Sequence, residues 1–562
     1  MAFAHLVQPI MKSIASILFL AGSIAIGSAA ADQPNIVFIL ADDMAWHGTG
    51  TQMESGFRRS AGKTRRTPHI DRLAKSGMVF SRAFSAAGMC APSRCSIQTG
   101  MSAARTKFSG NGNFGTTSRE VTYDGRRNKG RLMLEPSPIG SIDPKAITMA
   151  EHLKRLGYAT AHVGKWHVYG GGPGQHGYDV HDGETSNKEG NSKDPADPKN
   201  IFSMTRKAIG FIEAQVAAKK PFFVQVSHYA EHNAVQYLEE TYEACLRDKN
   251  IASITPVALR KRVAQRSAMV EDMDHGIGTL IEKLDQLGVR ENTYVIFTSD
   301  NGHYRDTGEE RLLRGNKWWL WEGGIRVPMI VSGPGVAPES NCDANVVGYD
   351  FLPTFVELAG GHPEQLKDVD GVSLKPLFDG KLPARFTKRS LHFHYPHHRN
   401  TALHSAVIRG DHKFFRFWER PGSMYLYNLE NDIHEGSNVA NDYPAIAREL
   451  DREMDRHFAA VNASLPKPNP NADATYKPYD PDAPEAAAHV NNPAAKKPND
   501  PAAKKRERQK RRDAKKKSPR QVALTDQFNF TRPKSIGLRI RLAVSFMLAF
   551  SSGKSSSLTC SA

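Results

Sequence analysis

Continuous apolar runs alternate with amphipathic stretches over residues 34–359. A run of Ile, Val, Leu and Phe without polar interruption is typical of a strand buried on both faces of a parallel sheet, and an amphipathic stretch indicates a helix that covers such a sheet. The predicted strands are residues 34–43, 78–85, 158–163, 221–227, 293–298 and 329–332, and the predicted helices are residues 68–77, 147–156, 201–219, 257–287 and 350–359. This pattern predicts an α/β fold with a large mixed, mostly parallel sheet sandwiched by helices.

The pattern changes near residue 385, where short strands and turns replace the long buried runs. Strands are predicted at Ser405–Arg409 and Lys413–Phe417, and a helix at Pro444–Phe458. Short strands joined by short turns favour an antiparallel sheet. We therefore predict an α/β domain over residues 32–384, a smaller C-terminal subdomain of antiparallel sheet plus helix over residues 385–465, and a Pro/Ala/Lys-rich tail over residues 466–562.

The N-terminus has the features of an export signal. Lys12 precedes the apolar run Ile14–Ile26, and Ser28–Ala31 offers small residues for cleavage. A membrane anchor is the alternative interpretation, but the run is too short to span a bilayer. Residues 1–31 are therefore predicted to be a signal peptide, and the mature chain to be periplasmic or secreted without a transmembrane segment. An oxidising compartment would allow Cys245 and Cys342 to pair.

The net charge of +16 is concentrated near the C-terminus. Residues 496–520 contain thirteen Lys or Arg and three Asp or Glu, so ten of the sixteen net positive charges lie there. A basic segment without apolar periodicity is typical of a disordered tail that can adhere to polyanions. Because the rest of the chain is only mildly basic, the composition gives no indication of a specific nucleic-acid partner.

Polar side chains follow three of the predicted strands at the point where each strand ends. They are Asp42–Asp43, the pair Lys165 and His167, and Asp300–Asn301. Ligands of open α/β sheets bind beyond the carboxyl ends of the strands, so we expect these side chains to lie close together. Buried carboxylates require a cation or hydrogen bonds, although each acidic pair alone is equally consistent with a turn or a helix cap.

A small nucleophile stands in the stretch Cys90-Ala91-Pro92-Ser93-Arg94. Pro92 suits the first position of a helix, whose free amides and dipole would favour an anionic group beside Cys90, and Arg94 adds a forked cation. Cys-x-Pro-Ser-Arg followed by Thr99–Gly100 resembles the active-site signature of the type I sulfatases, in the alkaline-phosphatase-like superfamily. The strand-end residues and the later stretch Arg314–Pro328 occur in the order of that family, and the resemblance extends over residues 34–460.

The resemblance implies that Cys90 is oxidised to formylglycine by a formylglycine-generating enzyme, and that the aldehyde hydrate is the nucleophile. A divalent metal is implied as cofactor, with Ca²⁺ favoured over Mg²⁺ because oxygen ligands can reach six or seven. The implied metal ligands are Asp42, Asp43, residue 90, Asp300 and Asn301.

The resemblance also implies roles for the remaining catalytic residues. Arg94 would hold the hydrate, Lys165 and Lys317 would neutralise the sulfate, His232 would protonate the leaving oxygen, and His167 would accept a proton as the aldehyde reforms. His228 is the alternative to His232, because Glu231 stands where many relatives have proline.

The implied reaction is the hydrolysis of a sulfate ester on a sulfated carbohydrate or an aryl sulfate. His394 and His397, in the imidazole-rich stretch 392–398, are predicted to line the substrate pocket. One alternative is a phosphodiesterase or phosphonate monoester hydrolase with the same aldehyde and metal. The other is a secreted polyanion-binding protein without turnover, whose salt-sensitive binding would depend on residues 490–562.

Overall fold

The computed structural model describes residues 33–110, 128–137, 139–304 and 312–483. The predicted signal peptide and the basic stretch 496–520 lie outside these residues. The strands are β1 (Asn35–Ala41), β2 (Met78–Phe80), β3 (Ala83–Phe84), β4 (Met133–Leu134), β5 (Ala159–Gly164), β6 (Val180–His181), β7 (Phe222–Ser227), β8 (Thr293–Ser299), β9 (Met329–Ser332), β10 (Ser340–Cys342), β11 (Val346–Val347), β12 (Ser390–Tyr395), β13 (His404–Arg409), β14 (His412–Phe417), β15 (Tyr425–Asn428) and β16 (Lys467–Pro468).

The α-helices cover both faces of the main sheet and one face of the C-terminal sheet. They are α1 (Pro68–Lys75), α2 (Cys90–Thr99), α3 (Ala103–Thr106), α4 (Met149–Arg155), α5 (Ile201–Ala217), α6 (Glu239–Arg247), α7 (Lys249–Ala252), α8 (Val257–Gln286), α9 (Glu322–Ile325), α10 (Phe351–Leu358), α11 (Lys375–Phe378), α12 (Ala384–Lys388) and α13 (Pro444–Ala460). Short 3-10 helices lie at Arg58–Ser60, Pro173–His176, Pro198–Asn200, Arg290–Asn292, Gly348–Asp350 and Pro363–Gln365.

The main sheet has eight strands in the order β10-β2-β9-β8-β1-β7-β5-β6. Strand β9 runs antiparallel to its neighbours β8 and β2, and the other pairings are parallel. The predicted mixed, mostly parallel sheet is therefore confirmed. In the centre, Leu40 of β1 is level with Ser227 of β7 and Thr298 of β8, so the carboxyl ends of three strands lie at one edge.

The buried runs fill two cores, one on each face of this sheet. Ile36, Phe38 and Leu40 of β1 pack on one side, and Val37 and Ile39 on the other. The first core includes apolar residues of α2, α4 and α10, and the second includes those of α1, α5 and α8. Because both faces are covered, a strand such as β1 carries no polar residue between its ends.

The C-terminal sheet is antiparallel, in the order β12-β13-β14-β15. One face packs against α13, where Phe414 and Leu426 meet Leu450 and Met454 in one core cluster. This arrangement matches the predicted subdomain of antiparallel sheet plus helix. The opposite face packs with Trp321 and other residues from the region before residue 385, so the C-terminal sheet is joined to the rest of the chain by apolar contact.

The structure differs from the predicted elements at two places before residue 100. The predicted strand 78–85 is two short strands, because a turn at Ser81–Arg82 directs β2 to β9 and β3 to β11. Helix α2 begins at Cys90 itself, two residues before the predicted Pro92, and is terminated after Thr99 by Gly100, whose φ is 69°. Cys90 therefore lies in the first turn of the helix.

The structure also bears on the two cysteines and on the start of the tail. Cys245 and Cys342 are both free thiols. Residues 466–483, which the sequence pattern assigned to the tail, pack on the preceding part of the chain: β16 pairs with β4, and the ring of Tyr479 lies 4.9 Å from that of Trp319. These residues are rich in proline and charge, so the sequence pattern gave no indication of their contacts.

In the described part of the chain, no helix combines the length and apolar character needed to cross a bilayer.

Candidate active site

Four residues form an acidic cluster at the carboxyl edge of the sheet: Asp42, Asp43, Cys90 and Asp300. One ligand atom from each, a carboxylate oxygen or the sulfur, lies within 4.8 Å of the others, and all four side chains are buried. The level ends of β1 and β8 bring the acids together, since the Asp300 amide donates to the Ala41 carbonyl over 3.1 Å. The Asp43 amide donates to Asp300 Oδ1, also over 3.1 Å.

Each carboxylate of the acidic cluster has its own cation. Lys165 Nζ donates to Asp42 Oδ2, and Lys317 Nζ donates to Asp43 Oδ1 and to Cys90 Sγ over 2.8 Å. Arg94 Nε donates to Asp300 Oδ2 over 2.7 Å, and its Nη1 donates to the Lys165 carbonyl over 2.7 Å. These pairs offset the cost of burying three carboxylates at one point. The structure thus brings together residues that are spread over more than two hundred positions of sequence.

Burial and these cations set the pKa values of the cluster. Burial raises the pKa of Asp42, but the charges of Lys165, His232, Arg94 and Lys317 together outweigh burial and hold that pKa well below its usual value. Burial also raises the pKa of Asp43, and Lys317 is the strongest of the charges that lower it. The net result is a lowered pKa. Burial prevails at Asp300 and raises its pKa to about 6 in spite of Arg94. Burial, then the Asp300 charge, raise the pKa of Cys90 well above its usual value, so an unmodified thiol would stay protonated.

The oxygen donors fit a hard divalent cation. Asp43 Oδ2 and Asn301 Oδ1 are buried and accept no hydrogen bond within the described residues. Asn301 Nδ2 donates to Asp43 Oδ1 over 2.7 Å, which fixes the amide beside the acidic cluster. A buried acceptor without a donor is costly, and a bound cation would remove that cost.

Two of the predicted histidines lie at this edge. His232 Nε2 is 3.9 Å from Asp43 Oδ2, and its side chain is 18% exposed. His167 is buried, and burial together with the charge of Lys165 holds its pKa well below the usual value. The alternative, His228, is buried, and burial lowers its pKa to about 4. Its amide bonds to the Leu40 carbonyl. Proximity to the acids therefore favours His232.

The ring nitrogens of His394 and His397 bond to groups outside the acidic cluster. His394 bonds to Ser405 Oγ over 2.8 Å and to the Ser464 carbonyl over 3.0 Å. His397 bonds to Glu135 over 3.1 Å and to Ser109 over 3.0 Å. Both rings are buried, and both nitrogens of each are used inside the protein. These contacts do not support the predicted role in a substrate pocket.

Left-handed backbone conformations occur at several residues of this region. The φ angle is 63° at Asp43, 58° at His167, 56° at Lys199 and 81° at Trp318, which adjoins Lys317. Such angles are costly for residues other than glycine and persist where the surroundings enforce them, often at functional sites. The Trp318 amide, for example, donates to the Gly88 carbonyl, which ties the Lys317 segment to the start of α2.

Lys199 is a site residue that the sequence analysis did not find. It is buried, and its charge interacts with Asp42, Asp43 and Lys165. In the sequence it stands between Pro198 and Asn200, where a lysine is ordinarily solvated. The fold and the site together define a hydrolase of anionic esters with a buried centre suited to a metal ion.

Comparisons with known proteins identify the family. Residues 34–361 match the sequence model of the family described as Sulfatase, and residues 308–461 match that of N-sulphoglucosamine sulphohydrolase, C-terminal. The chain belongs to the sulfatase family and is a sulfuric ester hydrolase, as the sequence predicted. Membership implies a formylglycine and a divalent metal, and the acidic cluster fits such an ion.

Three similar proteins cover most of this chain. A sulfatase from Formosa agariphila is 26% identical, in a match that covers 74% of this chain and 85% of that protein. The N-acetylgalactosamine-6-sulfatase of Canis lupus familiaris is 27% identical, with 75% of this chain and 79% of that protein covered. The crystal structure of Ps i-CgsB has a TM-score of 0.62 at 25% identity and covers 76% of this chain and 93% of its own.

Proposed function

We propose that this chain is an exported carbohydrate sulfatase that uses Ca²⁺ and a formylglycine made from Cys90 by a formylglycine-generating enzyme. The observation that carries the proposal is the acidic cluster, in which Cys90 lies among three carboxylates and three cations. The high pKa of the Cys90 thiol supports modification, since a protonated thiol is a poor nucleophile.

The proposed metal site consists of Asp42, Asp43, Asp300, Asn301 and the oxidised side chain of residue 90. Ca²⁺ is favoured over Mg²⁺ because this donor set consists of oxygens and can exceed six ligands. When bound, the cation would lower the pKa of a hydroxyl at residue 90 and supply positive charge towards the sulfate.

Three cations of the chain would act on the sulfate and on residue 90. Lys165 and Lys317 are each held by a carboxylate, so their ammonium groups are positioned before substrate arrives and can neutralise sulfate oxygens as charge spreads over them. Arg94 is held through Nε and Nη1, and its Nη2 makes no hydrogen bond within the described residues. That Nη2 is available to hold the hydroxyl groups at residue 90.

Two histidines would move protons. His232 is partly exposed and lies beside Asp43, which suits protonation of the leaving oxygen as it departs towards solvent. Burial and Lys165 keep His167 neutral, so it can accept a proton when the aldehyde reforms.

The names of the relatives include sulfatases of a sugar and of a sterol. The relative from Canis lupus familiaris is named N-acetylgalactosamine-6-sulfatase, and one from Rattus norvegicus is named steryl-sulfatase. We place the sulfated carbohydrate first because relatives from several mammals share the name N-acetylgalactosamine-6-sulfatase.

A substrate screen tests the proposal directly. Protein matured together with a formylglycine-generating enzyme is incubated with Ca²⁺ and with sulfated mono- and oligosaccharides, an aryl sulfate and an aryl phosphodiester. We expect sulfate release from at least one sugar, and Cys90→Ala to lower kcat/KM by at least about four decades, which corresponds to roughly 5 kcal/mol. Cys95→Ala, a buried cysteine in the same helix, is the matched control and should keep activity.

Two outcomes would contradict the proposal. A higher kcat/KM for the phosphodiester than for every sulfate would favour the phosphoester alternative. An unmodified thiol at residue 90 in active protein, measured by mass spectrometry of the peptide, would exclude the formylglycine. Activity with Mg²⁺ but none with Ca²⁺ would reject the choice of metal while leaving the rest of the proposal in place.

A further inference from the structure

Lys199 differs from the other buried lysines of the described residues. Lys165 and Lys317 pair with acids of the cluster, and Lys413 pairs with Glu322 over 2.8 Å. Lys199 is 1% exposed, and its ammonium makes no hydrogen bond or ion pair within the described part of the chain. A buried charge without a partner is strongly unfavourable, so a compensating group is expected when the protein works.

The backbone around Lys199 is fixed so that its side chain points inward. Asp197 Oδ1 accepts from the amide of Phe202 over 2.7 Å, which caps the start of α5. Asn200 Nδ2 donates to the Glu189 carbonyl over 2.7 Å, and the Lys199 amide donates to Gln236 Oε1 over 3.1 Å. Lys199 and Asn200 both have φ 56°, and two successive left-handed residues are costly unless such bonds enforce them.

Lys199 lies beside the segment that carries His232, because its amide bonds to Gln236 Oε1, and charges of the acidic cluster act on its ammonium. Burial is the main cause that lowers the pKa of the Lys199 ammonium, to about 8. The charges of Asp42, Lys165, Asp43 and Arg266 have smaller effects on the same pKa. Arg266 holds the segment around His232, because its Nη1 donates to the Glu231 carbonyl and its Nη2 to Asn233 Oδ1. Asp42 and Asp43 already have their own lysines, so Lys199 is not needed to neutralise them.

We propose that Lys199 is a specificity-determining residue whose ammonium binds an anionic substituent of the substrate sugar, a carboxylate or a second sulfate beside the sulfate that is cleaved. The inference rests on the proposed carbohydrate sulfatase activity. The bound anion would supply the partner that the ammonium lacks in the free protein. A sugar with one sulfate and no other charge would leave the ammonium unpaired.

The test compares Lys199→Met with the parent enzyme on three substrates: a sugar with a single sulfate, the same sugar with a second sulfate, and a sulfated disaccharide that contains a uronic acid. A hydrogen bond to a charged group contributes enough for about a 10- to 150-fold change in affinity. We expect a rise of that size in KM for whichever doubly anionic substrate binds Lys199, with kcat changed less than about threefold, and little change for the singly charged sugar. The substrate that loses affinity identifies the carboxylate or the sulfate.

Three further measurements separate binding from a structural role. Lys199→Arg should retain the preference, and Lys220→Met, at an exposed lysine beyond the end of α5, should match the parent enzyme. Calorimetric titration of the doubly anionic sugar into Cys90→Ala and Cys90→Ala/Lys199→Met proteins should show the same loss of affinity without turnover. Lys199→Met should raise Tm, since it removes an uncompensated buried charge, whereas a lysine that stabilises the fold would give a lower Tm.

The proposal is overturned if Lys199→Met leaves all three substrates unchanged, or if it lowers kcat/KM equally for all of them. A parent enzyme that hydrolyses none of the sugars would instead reject the proposed function, which keeps the two failures distinguishable.

Discussion

Arg94 joins the helix that carries Cys90 to the acids of the sheet, which makes its substitution an informative test. Arg94 is 2% exposed, and its guanidinium binds the Asp300 carboxylate through Nε and the Lys165 carbonyl through Nη1. Lysine in its place keeps the charge but cannot make both contacts in the planar geometry of a guanidinium. One lost hydrogen bond to a charged group costs about 1.5–3 kcal/mol. We therefore expect Arg94→Lys to lower kcat/KM about 10- to 150-fold.

The assay is steady-state hydrolysis of the best substrate at saturating Ca²⁺, with Tm measured on the same samples. Arg105→Lys is the matched control, because Arg105 also binds a carboxylate, that of Asp370, through Nε and Nη2. Arg105 is not part of the acidic cluster, so its variant should stay within about threefold of the parent enzyme. An Arg94→Lys enzyme with parent kcat/KM and Tm would refute the view that Arg94 positions the acids.

Three other predictions concern the fold. Lys413→Met leaves Glu322 and Glu435 buried without their shared cation, so the free energy of unfolding in urea should fall by about 3–5 kcal/mol, and a loss below about 1 kcal/mol would contradict this. Burial raises the pKa of Asp274 to about 7 from 3.8, so the stability gained from its protonation is complete below the lower value and is lost as the pH rises through the higher one. Tm should therefore fall less between pH 5 and pH 8 in Asp274→Asn than in the parent protein, and an equal fall would show that Asp274 is not the titrating group. His394→Ala should lower Tm but leave kcat/KM within about threefold, because both ring nitrogens are bonded inside the protein, and a larger loss of kcat/KM would restore its predicted substrate role.

The main sheet and the position of the site followed from the sequence because one physical rule governs both. Long apolar runs such as that of β1 are stable only when both faces are covered, which indicates a parallel sheet with helices on either side. Charged residues are costly inside such strands, so Asp42 and Asp300 appear where the strands end. The parallel arrangement then brings these ends to the same edge.

Other features depend on contacts that the local pattern does not contain. The inward direction of Lys199 results from a left-handed backbone held by Gln236, a residue thirty-seven positions away. The role of His394 could not be read from the sequence, because histidine suits a pocket wall and a buried hydrogen-bond network equally well. The start of α2 at Cys90 is also not visible in the sequence, since Pro92 is tolerated anywhere in the first turn of a helix.

The contacts of Arg314 bear on the order in which the parts of the site can form during synthesis of the chain. Its guanidinium lies 3.8 Å from the Trp321 ring and donates to the carbonyls of Glu435 and Pro481. The segment that carries Lys317 is thus anchored by residues synthesised more than a hundred positions later. A nascent chain can place Cys90, Asp42 and Asp300 early, but Lys317 gains its last support only after residue 481 has left the ribosome.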